Sequence, residues 1–247
     1  MDYSFFGTGN KSLVIISGMS TFGVPEMAEA VSIQYASFAE EYTVYLFDRL
    51  NPLPENCSIR EMADDLATAM KQLGITNADI MGNSQGGMIA LELAINYPDL
   101  AHSLILCSTY CSPTPTGNET FPLWRELSDK EKGVELYRDF FNRAYSKPNL
   151  EVLRQVENTA TAEQCRKFAI MSQANLDFDC REELNKIKCP TLVIGVEEDK
   201  VLGVEGSNGI ADILQCEKHI YRDYGHSVCD EAPDFIDRMH DFYASIW

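Results

Sequence analysis

Asp79-Ile80-Met81-Gly82-Asn83-Ser84-Gln85-Gly86-Gly87-Met88 is the stretch on which the fold turns. An apolar run ends at Met81, a G-x-S-x-G pattern follows, and a helical pattern continues over residues 88–96. Glycines flanking a serine between a strand and a helix allow a backbone approach that any side chain would obstruct, and so tight a turn pushes the serine out at the helix start. The reading therefore puts Ser84 exposed at the tip of the turn. The same six residues in isolation describe an ordinary glycine turn; the strand before them and the helix after them carry the signal.

Outward from this turn, short continuous apolar runs at residues 13–16, 44–47, 104–106 and 192–194 read as strands buried on both faces. Two further strands are expected at residues 79–81 and 219–221. Residues 58–73 read as a helix that opens with Ser58-Ile59-Arg60-Glu61 in capping-box spacing. Strands alternating with helices specify an α/β chain, a mostly parallel sheet with helices on both faces. The alternation stops after Thr109, and no convincing strand appears again until Pro190. The chain thus divides into a core from residues 1–110 and 185–247 and a helical insertion, a cap or lid, from residues 111–184. Within the insertion, residues 129–145 place Val134, Leu136, Tyr137, Phe140, Phe141 and Tyr145 at helical spacing, whereas residues 112–117 read as loop. Phe121, Trp124, Tyr137, Phe140 and Phe141 are expected to serve the core of the insertion before lining any pocket.

Composition removes several classes of function. With 247 residues, 45% hydrophobic and 23% charged, the chain has the makings of one large globular domain. Its 20 basic against 38 acidic residues leave a charge of −18, which repels phosphate backbones and anionic lipid. Nucleic acid and membrane are excluded as partners on this ground, and a small-molecule substrate is expected; oligomeric state is not legible. No apolar run approaches the roughly 20 residues of a membrane span, and Met1-Asp2-Tyr3-Ser4 has no basic segment ahead of an apolar one, so a cytoplasmic protein is expected. The 8 cysteines contain no C-x-x-C pair, which points to reduced, mostly buried thiols and to no metal. No organic cofactor is implied either.

A serine hydroxyl is a weak nucleophile at neutral pH and needs a histidine base backed by an acid that fixes the imidazole tautomer. Of the 4 histidines, His226 follows Gly225 after the last expected strand and precedes the final helix. His102, His219 and His240 fall in a connection, a strand and a helix and read as packing or surface residues. Triads built on such a turn run in the order serine, acid, histidine. The acid is therefore sought where the strand of residues 192–194 gives out, at Glu197-Glu198-Asp199. Asp199 is the expected acid and Glu198 the reserve, although a solvated acidic loop would account for the three carboxylates equally well. Two main-chain donors complete the site as an oxyanion hole, the N–H of Gln85 after the serine and that of Met19 in the Ser17-Gly18-Met19-Ser20 loop.

Taken together, these residues resemble the α/β-hydrolase superfamily in its cap-bearing, serine-nucleophile branch. The resemblance rests on residues 12–18, the helix of residues 58–74, GNSQGG, PTLVIGVEED and YGHSVCDEAPDF, and so spans nearly the whole chain. It implies Ser84, Asp199 and His226 as a catalytic triad, Met19 and Gln85 at the oxyanion hole, and a serine hydrolase cleaving a small carboxylic ester, thioester or lactone through an acyl-enzyme. Carbon–carbon bond hydrolases, aminopeptidases and non-catalytic small-ligand receptors share the same residues. Ser17-Gly18 stands where many relatives carry His-Gly, and Asp48-Arg49-Leu50-Asn51-Pro52 stands where many carry a glycine-rich turn. The short N-terminus implies that the first of the family's eight strands is missing.

Overall fold

The computed structural model describes residues 1–20, 22–156 and 160–247. It begins with β1 (Tyr3–Phe6), β2 (Lys11–Ile16), α1 (Val24–Gln34), β3 (Tyr42–Phe47), α2 (Ile59–Gln72), β4 (Ala78–Asn83), α3 (Gln85–Asn96) and β5 (Ala101–Cys107). The helices α4 (Pro115–Asp129), α5 (Gly133–Ala144), α6 (Leu150–Val156) and α7 (Ala162–Leu176) come next, without an intervening strand among the described residues. The chain then returns to the sheet with β6 (Thr191–Val196), α8 (Val204–Leu214), β7 (Glu217–Tyr221), α9 (Val228–Glu231) and α10 (Phe235–Ile246).

The strands form a single sheet of 7 in the order β1-β3-β2-β4-β5-β6-β7. Neighbours are parallel except β1, which runs antiparallel along β3 with Tyr3 opposite Phe47. Sequence reading did not find β1: an edge strand needs no continuous apolar run, and Tyr3 and Phe5 remain exposed. From β2 the chain crosses to β3 on one side and returns to β4 on the other. Such a reversal leaves a crevice at the carboxyl ends of the two strands where α/β sheets bind ligands. Here those ends are Ile16, leading into Ser17-Gly18-Met19, and Asn83, leading into Ser84.

Alternation along the strands builds two cores. Leu13, Ile15, Val44, Met81, Ile105 and Ile194 pack with Val24, Phe235 and Met239 from α1 and α10. Val14, Ile16, Ile80, Leu104 and Val193 face the other way, onto Leu66 and Met70 of α2, Leu91 of α3 and Ile210 of α8. The expected capping box is present, with the Ser58 side chain accepting from Glu61 N–H and the Glu61 carboxylate accepting from Ser58 N–H. The first turn of α4 occupies part of the stretch expected as loop. Thr114 caps it and Pro115 stands at the first helical position, where the missing N–H costs no bond.

The crossing of α3 over the sheet sets a test of the packing. A Cβ at Gly86 would lie 2.0 Å from the carbonyl oxygen of Ile16, whereas one at Gly209, inside α8, meets nothing within 4 Å. Gly86→Ala should cost about 1–3 kcal/mol through overpacking. Gly209→Ala should add about 0.5–1 kcal/mol through helix propensity. Urea denaturation of the two variants beside the parent checks both signs.

Candidate active site

Ser84 joins β4 to α3 with φ 54° and ψ −122°, a region that side chains seldom occupy and that the surroundings must hold in place. Its N–H donates to the Cys107 carbonyl at 2.8 Å, and its own carbonyl accepts from Gly87 N–H at 2.9 Å and from the Thr109 hydroxyl at 2.7 Å. A Cβ at Gly82 would press on the Gly86 carbonyl at 2.5 Å, and one at Gly87 on the Thr109 side chain at 2.6 Å, so the glycines of the motif are required by contact. The expectation of an exposed serine needs correction. Ser84 is only 7% exposed, because the loop after β2 lies over the turn: a Cβ at Gly18 would stand 3.1 Å from that of Ser84.

Asp199 and His226 follow β6 and β7 and meet at the same carboxyl edge of the sheet. The Asp199 carboxylate faces His226 Nδ1 at 2.8 Å through one oxygen. Through the other it accepts from Val201 N–H at 2.8 Å and Leu202 N–H at 2.9 Å. Burial alone would push this carboxyl up; the imidazole, its hydrogen bond and the Leu202 and Val201 amides outweigh that and hold it below the usual carboxylate range. Glu198 is exposed and takes no part in these bonds. The histidine loop is clamped to the inserted helices: Ser227 N–H donates to the Ala144 carbonyl at 2.8 Å, and a Cβ at Gly225 would strike that carbonyl at 2.6 Å. Among the described residues no hydrogen bond joins the Ser84 hydroxyl to His226.

The other histidines are engaged elsewhere. His102 bonds Asp79 at 2.8 Å and stacks on Trp247, His240 bonds the Ser37 hydroxyl at 2.8 Å and stacks on Phe38, and His219 packs edge-on against Tyr221.

Gln85 is the first residue of α3, so its N–H has no acceptor within the helix. Met19 N–H has no hydrogen bond among the described residues. The side chains around these two amides form a network that sequence reading missed. The buried Arg49 guanidinium donates to Gln85 Oε1 at 2.9 Å and to the Ser17 carbonyl at 2.8 Å. Burial lowers its pKa to about 10, against the opposing pull of Asp48, which leaves it charged at neutral pH. Gln85 Nε2 in turn donates to Asn175 Oδ1 at 2.7 Å, and Asn175 Nδ2 donates to Met19 Sδ at 3.1 Å. One chain of bonds thereby ties the loop after β2, the start of α3 and the inserted helix α7. The departure from a glycine-rich turn at Arg49 was the available signal; nothing marked Asn175.

Beside the turn lies a cavity of about 280 Å³ whose wall includes Gly18, Met19, Asn83 and Ser227. Tyr137, Phe140 and Phe141 also line it, while Phe121 and Trp124 are buried among the inserted helices. The aromatic positions therefore divide between pocket and core. The cavity places apolar and aromatic surface beside Met19, Asn83 and Ser227, the last two being chain neighbours of the serine on the strained turn and of the imidazole that Asp199 faces; with them come two available main-chain donors. That is a set able to attack a carbonyl, relay a proton and hold an oxyanion.

A family profile described as alpha/beta hydrolase fold matches residues 11–154, more than half of the chain. The protein named "Putative carbamate hydrolase RutD" from Rhizobium rhizogenes is 25% identical over 238 residues, which cover 91% of this chain and 88% of that one. Among solved structures, MGS-M2, an alpha/beta hydrolase enzyme from a Medee basin deep-sea metagenome library, superposes with a TM-score of 0.87 at 21% identity, covering 98% of this chain and 94% of its own. The enol-lactonase from Burkholderia xenovorans LB400 does so with a TM-score of 0.81 at 20% identity, covering 98% and 96%.

The depressed Asp199 carboxyl links the site to stability. Because its folded pKa lies below the unfolded value of about 3.9, its contribution is fully present above that pH and is lost as pH falls through the folded pKa. On acidification below about pH 4 the parent should lose stability more steeply than Asp199→Asn, which lacks this proton-linked contribution. Denaturant titrations at stepped pH measure the two slopes.

Proposed function

We propose that this chain, which belongs to the α/β-hydrolase fold family and is a hydrolase, cleaves a small carboxylic ester, thioester or lactone through an acyl-enzyme on Ser84. The observation that carries the reading is the Asp199–His226 hydrogen bond at 2.8 Å, at the same carboxyl edge of the sheet as a serine held at φ 54°. His226 Nε2 takes the Ser84 proton as Oγ adds to the carbonyl carbon, and Asp199, bonded at Nδ1, fixes the tautomer and offsets the imidazolium charge. The oxygen of the tetrahedral intermediate is held by the Met19 and Gln85 amides. His226 then returns the proton to the leaving alcohol or thiol. Water repeats the cycle at the acyl carbon and frees the acid and Ser84. The names of similar proteins, a carbamate hydrolase and an enol-lactonase, support attack at a carbonyl that carries a heteroatom.

In this reading the four helices between β5 and β6 act as a cap, and the aromatic side chains they contribute exclude water from the acyl group. A cavity of about 280 Å³ suits short acyl chains. It lies at the lower bound of drug-sized sites.

Ser84→Ala should abolish both turnover and labelling by a fluorophosphonate probe. Asp199→Asn should lower kcat by about 10³–10⁴, while Glu198→Gln should stay within about twofold of the parent because that side chain is exposed. Across p-nitrophenyl esters, acyl chains of about two to six carbons should be preferred, and a chelator should change nothing. Exchanged phenotypes of the two acid variants would assign the acid to Glu198. Preference for an aminoacyl amide, or the absence of any Ser84-dependent turnover over a panel of esters, thioesters, lactones and amides, would overturn the reading in favour of a peptidase or of a receptor.

A further inference from the structure

The cavity has a composition that acyl transfer by itself does not require. Its wall is aromatic over much of its extent, with Phe22, Tyr35, Tyr137, Phe141 and Tyr145 among the lining side chains, and it holds one carboxylate, that of Asp230. No Lys, Arg or His lines it among the described residues. Asp230, an exposed residue of α9, forms part of the cavity wall beside Tyr145 and Gln34. Its neighbours are neutral donors, the Tyr145 hydroxyl at 3.4 Å, the Cys229 thiol at 3.6 Å and the Gln34 amide. No ion pair engages it among the described residues. Partial desolvation and Glu231 push its carboxyl up, against the pull of the Cys229, Tyr145 and Gln34 hydrogen bonds, and no cation of the protein lies beside it at the cavity.

We propose that this cavity is a subsite for an alkylammonium group, so that the compound opened at Ser84 carries a positively charged nitrogen. Aromatic faces attract a cation through the ring quadrupole, and quaternary ammonium groups are recognised by such cages. Asp230 supplies the countercharge at the wall. An anionic group would be repelled both by that carboxylate and by the overall charge of −18, which draws cations toward the protein. The hydrolytic half of the proposal rests on Ser84 as acyl acceptor; the binding half does not.

The test uses two matched pairs of esters, differing only in a quaternary nitrogen against a quaternary carbon. Acetylcholine against 3,3-dimethylbutyl acetate places the charge in the alcohol. The p-nitrophenyl ester of 4-(trimethylammonio)butanoic acid against that of 5,5-dimethylhexanoic acid places it in the acyl group. In at least one pair the parent should favour the cation by about tenfold or more in kcat/KM. Asp230→Asn should bring that ratio below about threefold. Asp237→Asn, which removes an exposed charge from α10, should leave it unchanged. Calorimetric binding of the same pairs to Ser84→Ala separates the two halves. A cation preference in binding without turnover of any ester by the parent retains the subsite and refutes Ser84 as acyl acceptor. Equal binding and equal kcat/KM within both pairs, or an equal loss of preference in Asp237→Asn, overturns the subsite, whether or not Asp230→Asn folds.

Discussion

Everything at this site depends on one close approach of main chain to main chain. Helix α3 passes so near β2 that residue 86 has room for a hydrogen and no more beneath the Ile16 carbonyl. That proximity lets a turn of a single residue connect β4 to α3, and it brings the first amide of α3 beside the loop that leaves β2. The strained backbone of Ser84 costs about 1–3 kcal/mol by the usual scale for such conformations. The hydrogen bonds from Gly87 and Thr109 and the bond to Cys107 hold it there. Distance between α3 and the sheet, more than the identity of any catalytic side chain, is what the glycines secure.

Charge is handled differently in different parts of the fold. Asp79 sits at the end of β4 remote from Ser84, fully buried, and accepts from Tyr42, Ser103 and Trp247 while facing His102, so its lone pairs are used within the structure. Asp199 is likewise satisfied, by two amides and an imidazole. Arg49 spends its buried charge on a carbonyl and an amide oxygen, which fixes two loops relative to each other. Asp230 differs from these three in opening onto a cavity with only weak neutral donors around it. A buried charge completed by protein maintains geometry; an exposed one at a cavity wall, without a cation of the protein beside it, has interaction capacity to offer to a ligand.

Much of this arrangement was legible in the sequence, and the legible part has a common physical character. The apolar runs at β2, β3, β5 and β6 are continuous because both faces of each strand are covered, and the capping box at Ser58 is a local interaction between residues three apart. Ser84, Asp199 and His226 could be sought by chain order and by position at strand ends. The parts that escaped depend on what comes near in space. Edge strand β1 lacks the two-sided burial that makes a strand visible, and the burial of Ser84 is imposed by a loop some sixty-five residues earlier in the chain. Asn175 and Asp230 acquire their meaning only when α7 and α9 are set against the loops they face.

The clamp between the histidine loop and the end of α5 ties the inserted helices to the backbone around His226. Ser227 hangs from the Ala144 carbonyl and Gly225 is wedged against the same peptide, so the backbone on both sides of His226 is referenced to α5 as well as to the sheet. A displacement of α5 that widened the cavity would carry the imidazole with it. Under the proposed reaction, entry of a ligand past α5 and the placing of His226 would be coupled through this one clamp.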